Sequence, residues 1–247
     1  YSCHALPYKD GLILLAGGRG SGALALRKSD GTVIWKNLDF KNAHSSPLLI
    51  EVDGQPQVVA LLASEVIGFD PENGQMLWRH PHNTNYGLAI STPVWAPGNL
   101  LFISSAYSGG SRVLNLSRSE GKTVVKELWH SPRLQAHFGT VIRLGDYLYF
   151  SSGDGTALMT CVNLRSGEIV WQQRGFAKAQ LVAADEKLIL LDEDGTVALV
   201  EPTQKELRVI AKTSVLQNTA WTPPTLSGAK LYLRDRKTLM ALDLAAK

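Results

Sequence analysis

Tryptophan recurs in this chain at the end of nearly the same phrase, and no other feature limits the possible folds as strongly. Three copies are ungapped. They run from Ala25 through Ser29-Asp30-Gly31 to Trp35, from Gly68 through Glu72-Asn73-Gly74 to Trp78, and from Cys161 through Arg165-Ser166-Gly167 to Trp171. A fourth, from Val113 through Gly121 to Trp129, is the same phrase with a looser turn. A fifth, Leu199 to Val209, keeps the length and loses both glycine and tryptophan, and a sixth begins at Ala241. Starts at 25, 68, 113, 161, 199 and 241 are 43, 45, 48, 38 and 42 residues apart. Each phrase reads as strand, tight turn, strand, because the glycine accepts the positive φ that a hairpin turn requires.

Two further β-rich runs precede each phrase, for example Ser46 to Ile50 and Gln57 to Leu62, or Gly139 to Ile142 and Tyr147 to Phe150. Four short strands per unit of about 42 residues is the spacing of a β-propeller blade. No window holds a sustained helical period with caps, so the expected class is all-β with helices nearly absent. The expectation is an all-β propeller of four-stranded antiparallel blades, with about six blades present. The first begins inside or just after its inner strand, and the last is incomplete. Propellers close by completing one blade from both chain ends, which removes exposed edges. Residues 1–247 are therefore expected to be one domain of a seven- or eight-bladed propeller whose upstream part lies outside this sequence.

Of the 247 residues, 45% are apolar and 19% charged, which excludes disorder. A net charge of +3 gives no nucleic-acid footprint. The longest apolar run, Val58 to Ala63, is too short to span a bilayer as a helix. Cys3 and Cys161 cannot build a disulfide framework or a structural zinc site by themselves. A signal peptide or lipid-attachment cysteine would lie before Tyr1.

Two common blade families do not fit. A Trp-Asp ending is missing, since Lys36, Arg79, His130 and Gln172 follow the tryptophans, and glycine doublets occur only at Gly17-Gly18 and Gly109-Gly110. The phrase instead resembles the tryptophan-docking motif of the PQQ-like (quinoprotein-type) repeat family, which includes PQQ-dependent alcohol dehydrogenases and an outer-membrane assembly lipoprotein. The resemblance implies that Trp35, Trp78, Trp129 and Trp171 are structural, each covering a neighbouring blade while its N–H finds one acceptor. Asp70 and Asp243, with Asn115 and Asn163 in the same slot, are expected to tie down the turns.

Other motifs carry less chemistry. The stretch Gly17-Gly18-Arg19-Gly20-Ser21-Gly22 looks like a dinucleotide fingerprint, but the turn at Ser29-Asp30-Gly31 arrives where a helix is needed, so it reads as a blade loop. His80 and His82 read as solvated histidines of an inter-blade loop, without a third ligand at a recognisable spacing. There is no Gly-x-Ser-x-Gly elbow, and Asp30, Asp154 and Asp194 each precede glycine as turn formers.

In the dehydrogenase branch, the resemblance implies PQQ stacked between a tryptophan and an adjacent-cysteine disulfide, with a calcium ion held by Glu and Asn. No two cysteines are adjacent here, so no catalytic, cofactor or metal residue is assigned. What remains is a propeller face. Loops entering each blade are expected to present His44, Tyr86, His137, Phe138, Lys178 and Trp221. Loops between second and third strands are expected to present Arg19, Tyr107, Arg112, Asp154, Asp192 and Arg236. The leading expectation is a non-catalytic, monomeric scaffold that binds a protein partner through this face, exported to the bacterial periplasm. The alternative is a PQQ- and calcium-dependent alcohol or sugar dehydrogenase, and a third is a carbohydrate-binding propeller.

Overall fold

The computed structural model describes residues 3–245. They contain strands and no helix. The chain divides into two compact units that meet in sequence between Gln135 and Ala136.

The first unit holds three sheets of four strands. These are β1 (Leu6–Tyr8), β2 (Gly11–Leu15), β3 (Ala23–Arg27) and β4 (Val33–Asn37); then β5 (Leu48–Val52), β6 (Gln55–Leu61), β7 (Glu65–Phe69) and β8 (Met76–Pro81); then β9 (Val94–Ala96), β10 (Leu100–Ser105), β11 (Gly110–Ser119) and β12 (Lys122–Ser131). The second unit holds β13 (Ile142–Leu144), β14 (Tyr147–Ser152), β15 (Leu158–Asn163) and β16 (Ile169–Gln173); β17 (Ala179–Ala184), β18 (Lys187–Asp192), β19 (Thr196–Pro202) and β20 (Leu207–Ser214); and a three-stranded sheet of β21 (Thr225–Ser227), β22 (Lys230–Arg234) and β23 (Leu239–Asp243). Every sheet is an antiparallel meander in chain order. The first sheet is complete among the described residues. Its inner strand is the short Leu6–Tyr8, which the sequence expectation had placed outside or cut through.

Strand β6 shows why the longest apolar run is a strand. Its successive side chains point to opposite faces, and both faces are covered. Val58, Ala60 and Leu62 join a core with Ile13 and Phe69, whereas Val59 and Leu61 join another with Leu101, Ile103 and Leu114. Strand β18 repeats the arrangement in the second unit. Leu188 and Leu190 pack with Tyr149, Cys161 and Ala198, while Ile189 and Leu191 pack with Leu231 and Leu233.

Two of the four indoles make the same bond to the following sheet. Trp35 donates its Nε1–H to the Pro71 carbonyl at 3.1 Å, and Trp171 donates to the Thr203 carbonyl at 2.9 Å. Each acceptor belongs to the turn between third and fourth strands of the following sheet. Gly31, Gly74 and Gly167 all sit at φ 74°, which only glycine adopts cheaply. Asp70, Asn163 and Asp243 accept main-chain N–H groups of their own turns. Asn115 does not. Its sheet has ten-residue strands β11 and β12, and its amide instead donates to the Gly98 carbonyl.

Between third and fourth strands, five sheets carry a β-bulge at the same place: after Ala25, Gly68, Val113, Cys161 and Leu199. The residue opposite the first of these is Trp35, and opposite the next three are Trp78, Trp129 and Trp171. Opposite Leu199 it is Ala211, so the fifth copy does not keep its length as expected. Val209 pairs with Val200, one position beyond the bulge.

Candidate functional site

In a four-stranded meander the turn between second and third strands and the exit of the fourth strand lie at the same end of the sheet. In the second unit this end gathers five of the expected residues into one cluster. The Phe138 and Trp221 rings lie 5.5 Å apart, and the His137 ring lies 5.1 Å from Phe138. Lys178 Nζ stands 5.9 Å from the Phe138 ring centroid, and the Arg236 guanidinium lies 4.7 Å from that of Trp221. Trp221 remains 50% exposed.

Three residues that the sequence reading did not single out, or misread, build this cluster. Gln180 is buried at the start of β17. Its Nε2 donates to the Phe138 carbonyl at 2.9 Å and to the Trp221 carbonyl at 3.1 Å, while its Oε1 accepts the Thr140 N–H. Glu193 Oε2 accepts the Trp221 indole N–H at 3.0 Å. Its main chain bonds both flanking loops, through Lys178 O and Ala220 N. Asp192, expected on the face, is instead buried and laces the turn by accepting from Ala177 N and Thr196 N. The sequence did hold a signal for Gln180. A glutamine inside an apolar run is buried only when its amide is satisfied.

Asp235 plays the part of Asp192 in the next sheet. Its carboxylate accepts from Asn218 N and Nδ2 and from Lys237 and Thr238 N, and these bonds hold its pKa well below the usual range. A cleft of about 490 Å³ opens between these tethered loops, lined by Glu193, Asp194, Gln217, Asn218, Arg236 and Lys237 among others. Asp154 is exposed on the β14–β15 turn. Burial, then Lys178, push the His137 pKa down, against the opposing charges of Asp154 and Glu193.

The first unit presents a smaller aromatic pair at the same end of its sheets. Tyr86, 70% exposed, packs edge-on against Tyr107 at 5.2 Å. His44 is exposed, and Arg19 lies exposed in the glycine loop beside a cleft of about 650 Å³ with Asp39, Phe40 and Lys41. Four of the loop's N–H groups are already engaged, Gly20 N by the Asp39 carboxylate and Gly17, Gly18 and Gly22 N by main-chain carbonyls.

Two expectations are corrected. Arg112 belongs to strand β11, where its guanidinium pairs with Glu127 at 2.6 Å, rather than to a loop. His82 is fully buried, and His80 lies in β8. His82 Nε2 contacts Ser105 Oγ at 3.0 Å and Nδ1 has no partner, so burial pushes its pKa down to about 3. A local reading of His-Pro-His saw loop polarity and missed the sheets that close over it.

The two cysteines are not an adjacent pair of the kind the dehydrogenase branch uses. Cys161 is buried among apolar side chains with its thiol pushed up to about 11, and Cys3 lies far from it in sequence. Among the described residues no three His, Cys, Asp or Glu side chains converge to hold a metal ion.

Repeated four-stranded meanders with indole-docked turns define a β-propeller protein of the PQQ-like type. A sequence model described as "Outer membrane protein assembly factor BamB" matches residues 2–210, and the chain belongs to this family. A search of curated proteins finds no match. Among solved structures, BamB from Moraxella catarrhalis is similar at 18% identity with a TM-score of 0.66, covering 96% of this chain and 67% of that one. The computationally designed Ika8 protein is similar at 13% identity and TM-score 0.65, covering 96% and 69%. The Myceliophteria thermophila Cps50 (Swd1) β-propeller domain is similar at 14% identity and TM-score 0.58, covering 95% and 82%. At these identities the solved structures show the fold alone.

Proposed function

We propose that this chain is a non-catalytic propeller that binds a protein partner through the loop end of its sheets, as an exported assembly scaffold of the bacterial cell envelope. The observation that carries the reading is the half-exposed Trp221, held between Phe138 and Arg236 by bonds from Gln180 and Glu193. Exposed aromatic and arginine side chains fixed on rigid loops are what interaction hot spots use. Membership of a family described as an outer membrane protein assembly factor supports the same role. On this reading the protein works as a monomer without cofactor, and within the first unit Tyr86, His44 and Arg19 are binding residues in their own right.

Site-specific photo-crosslinking in cells tests it. A crosslinker at position 221, 178 or 86 is expected to trap one envelope protein. One at Asp30 or Gly121, in turns at the opposite end of their sheets, is expected to trap none. Equal trapping at both ends, or none at 221 and 86, rejects the reading.

A further inference from the structure

Within the second unit, charge is arranged differently at the two ends of the sheets. Its two ion pairs, Arg165 with Asp146 and Arg208 with Glu201, flank hairpin turns at the end away from Trp221. At the Trp221 end, Lys178, Arg236 and Lys237 form no ion pair among the described residues. Carboxylates stand in the same loops but bond other groups. Asp192 and Asp235 are buried and accept main-chain N–H groups, and Glu193 accepts the Trp221 indole N–H. Only Asp154, Asp194 and the second oxygen of Glu193 are left to oppose the unpaired cations.

Rings hold these cations instead. Lys178 stands over Phe138 and Arg236 over Trp221, and Lys212 stands 5.9 Å from the Phe176 ring centroid near the exit of β20, at the same end. A ring face attracts positive charge but offers no oxygen to accept a hydrogen bond. The side-chain N–H groups of Lys178 and Arg236 accordingly bond no described residue. Free charged donors of this kind pair best with carboxylates, and a guanidinium does so through two parallel bonds. One half-exposed indole beside a half-buried phenyl ring is less apolar surface than membrane anchoring takes.

We propose that the partner segment bound at this end is acidic, with carboxylates on Lys178 and Arg236 and an apolar side chain beside Trp221. The inference rests on the scaffold reading and names the chemistry of its partner.

The test offers the whole protein two labelled nonapeptides, one of Glu-Phe-Glu repeats and one of Lys-Phe-Lys repeats, read by fluorescence anisotropy. Vesicles of phosphatidylglycerol and phosphatidylcholine are offered separately and read by co-sedimentation. The acidic peptide is expected to saturate the protein with a Kd on the order of 10–500 µM. Raising salt from about 50 to about 300 mM is expected to weaken it about fivefold or more. Lys178→Glu and Arg236→Glu are each expected to weaken it by about tenfold, and Lys205→Glu, in the β19–β20 turn at the other end, by less than about twofold. Should a reversal unfold the protein, Lys178→Gln and Arg236→Gln take its place, and the salt series on the wild-type protein decides if these unfold as well. No saturation by the acidic peptide, equal binding of the basic one, indifference to salt, or undiminished affinity in folded variants at 178 and 236 overturns the proposal. Binding to vesicles without binding to the peptide also overturns it and assigns a membrane surface. A partner crosslinked from position 221 while the acidic peptide fails to bind leaves the scaffold reading standing and removes this one. Acidic-peptide binding with no crosslinked partner keeps the surface chemistry and removes the envelope role.

Discussion

Trp78 donates its indole N–H to Gln57 Oε1 at 2.7 Å, where Trp35 and Trp171 use a main-chain carbonyl of the following turn. The reason lies in the next sheet. Its β11–β12 hairpin is lengthened to ten-residue strands, so the usual turn carbonyl is displaced, and the Gln57 amide bridges onward to Thr123 Oγ1 at 2.8 Å. A buried side chain has replaced a missing piece of backbone.

Replacing Gln57 by Leu leaves the Trp78 N–H buried without an acceptor. Destabilisation of about 1–3 kcal/mol is expected in urea unfolding. Adding Trp78→Phe in that background should recover part of the loss, because both partners are then apolar. Strict additivity of the two substitutions would show that the bond contributes nothing.

Gly31 and Gly74 share a φ of 74°, yet only one is crowded. A Cβ at Gly31 meets open space, so Gly31→Ala is expected to cost about 1 kcal/mol for the left-handed backbone. A Cβ at Gly74 stands 2.7 Å from Trp35 Cζ3 and 2.9 Å from Asn37 Cβ. Gly74→Ala is therefore expected to lower the melting temperature well beyond Gly31→Ala; equal shifts refute the docking of Trp35 over this turn.

His82 is neutral in the folded protein down to about pH 3, whereas its ordinary value is 6.5. Burial is the main cause, and Arg112, His130 and His80 add to it, with Glu127 bonded to Arg112. The unfolded chain takes up a proton that the folded chain refuses, so stability falls as pH drops from 6.5 towards 3. The slope from this group is at most about 1.4 kcal/mol per pH unit. His82→Gln removes it, and denaturation at a series of pH values should show a flatter profile. An unchanged profile would mean that His82 is not sealed.

Gln180→Leu keeps the bulk and removes the bonds to Phe138 and Trp221. Faster amide exchange is expected at residues 138–140 and 220–222, together with loss of partner crosslinking from position 221. Retained crosslinking with faster exchange would separate binding from the tether.

The turns were legible because turn chemistry is local. A glycine after two polar residues needs no partner elsewhere to adopt positive φ, and Gly31, Gly74 and Gly167 do so alike. The second strands were legible for the reason shown by β6, whose two faces are both covered. The fifth copy was misaligned because its strands are one pair longer, Pro202 opposite Leu207, and the turn between them carries no glycine to mark it. Burial of His82 and Asp192, and the roles of Gln57 and Gln180, depend on segments distant in sequence and left at most a polar letter in an apolar stretch. The aromatic and cationic residues of the loops could be named individually, but their convergence on Trp221 is a product of the meander.

The irregularity after Leu199 persists where the indole has been replaced by Ala211. Backbone shape at that spot is therefore independent of the ring that elsewhere rests on it. A chain assembled from such modules can shed its fasteners one at a time, drifting in letters while the seat for each fastener stays cut.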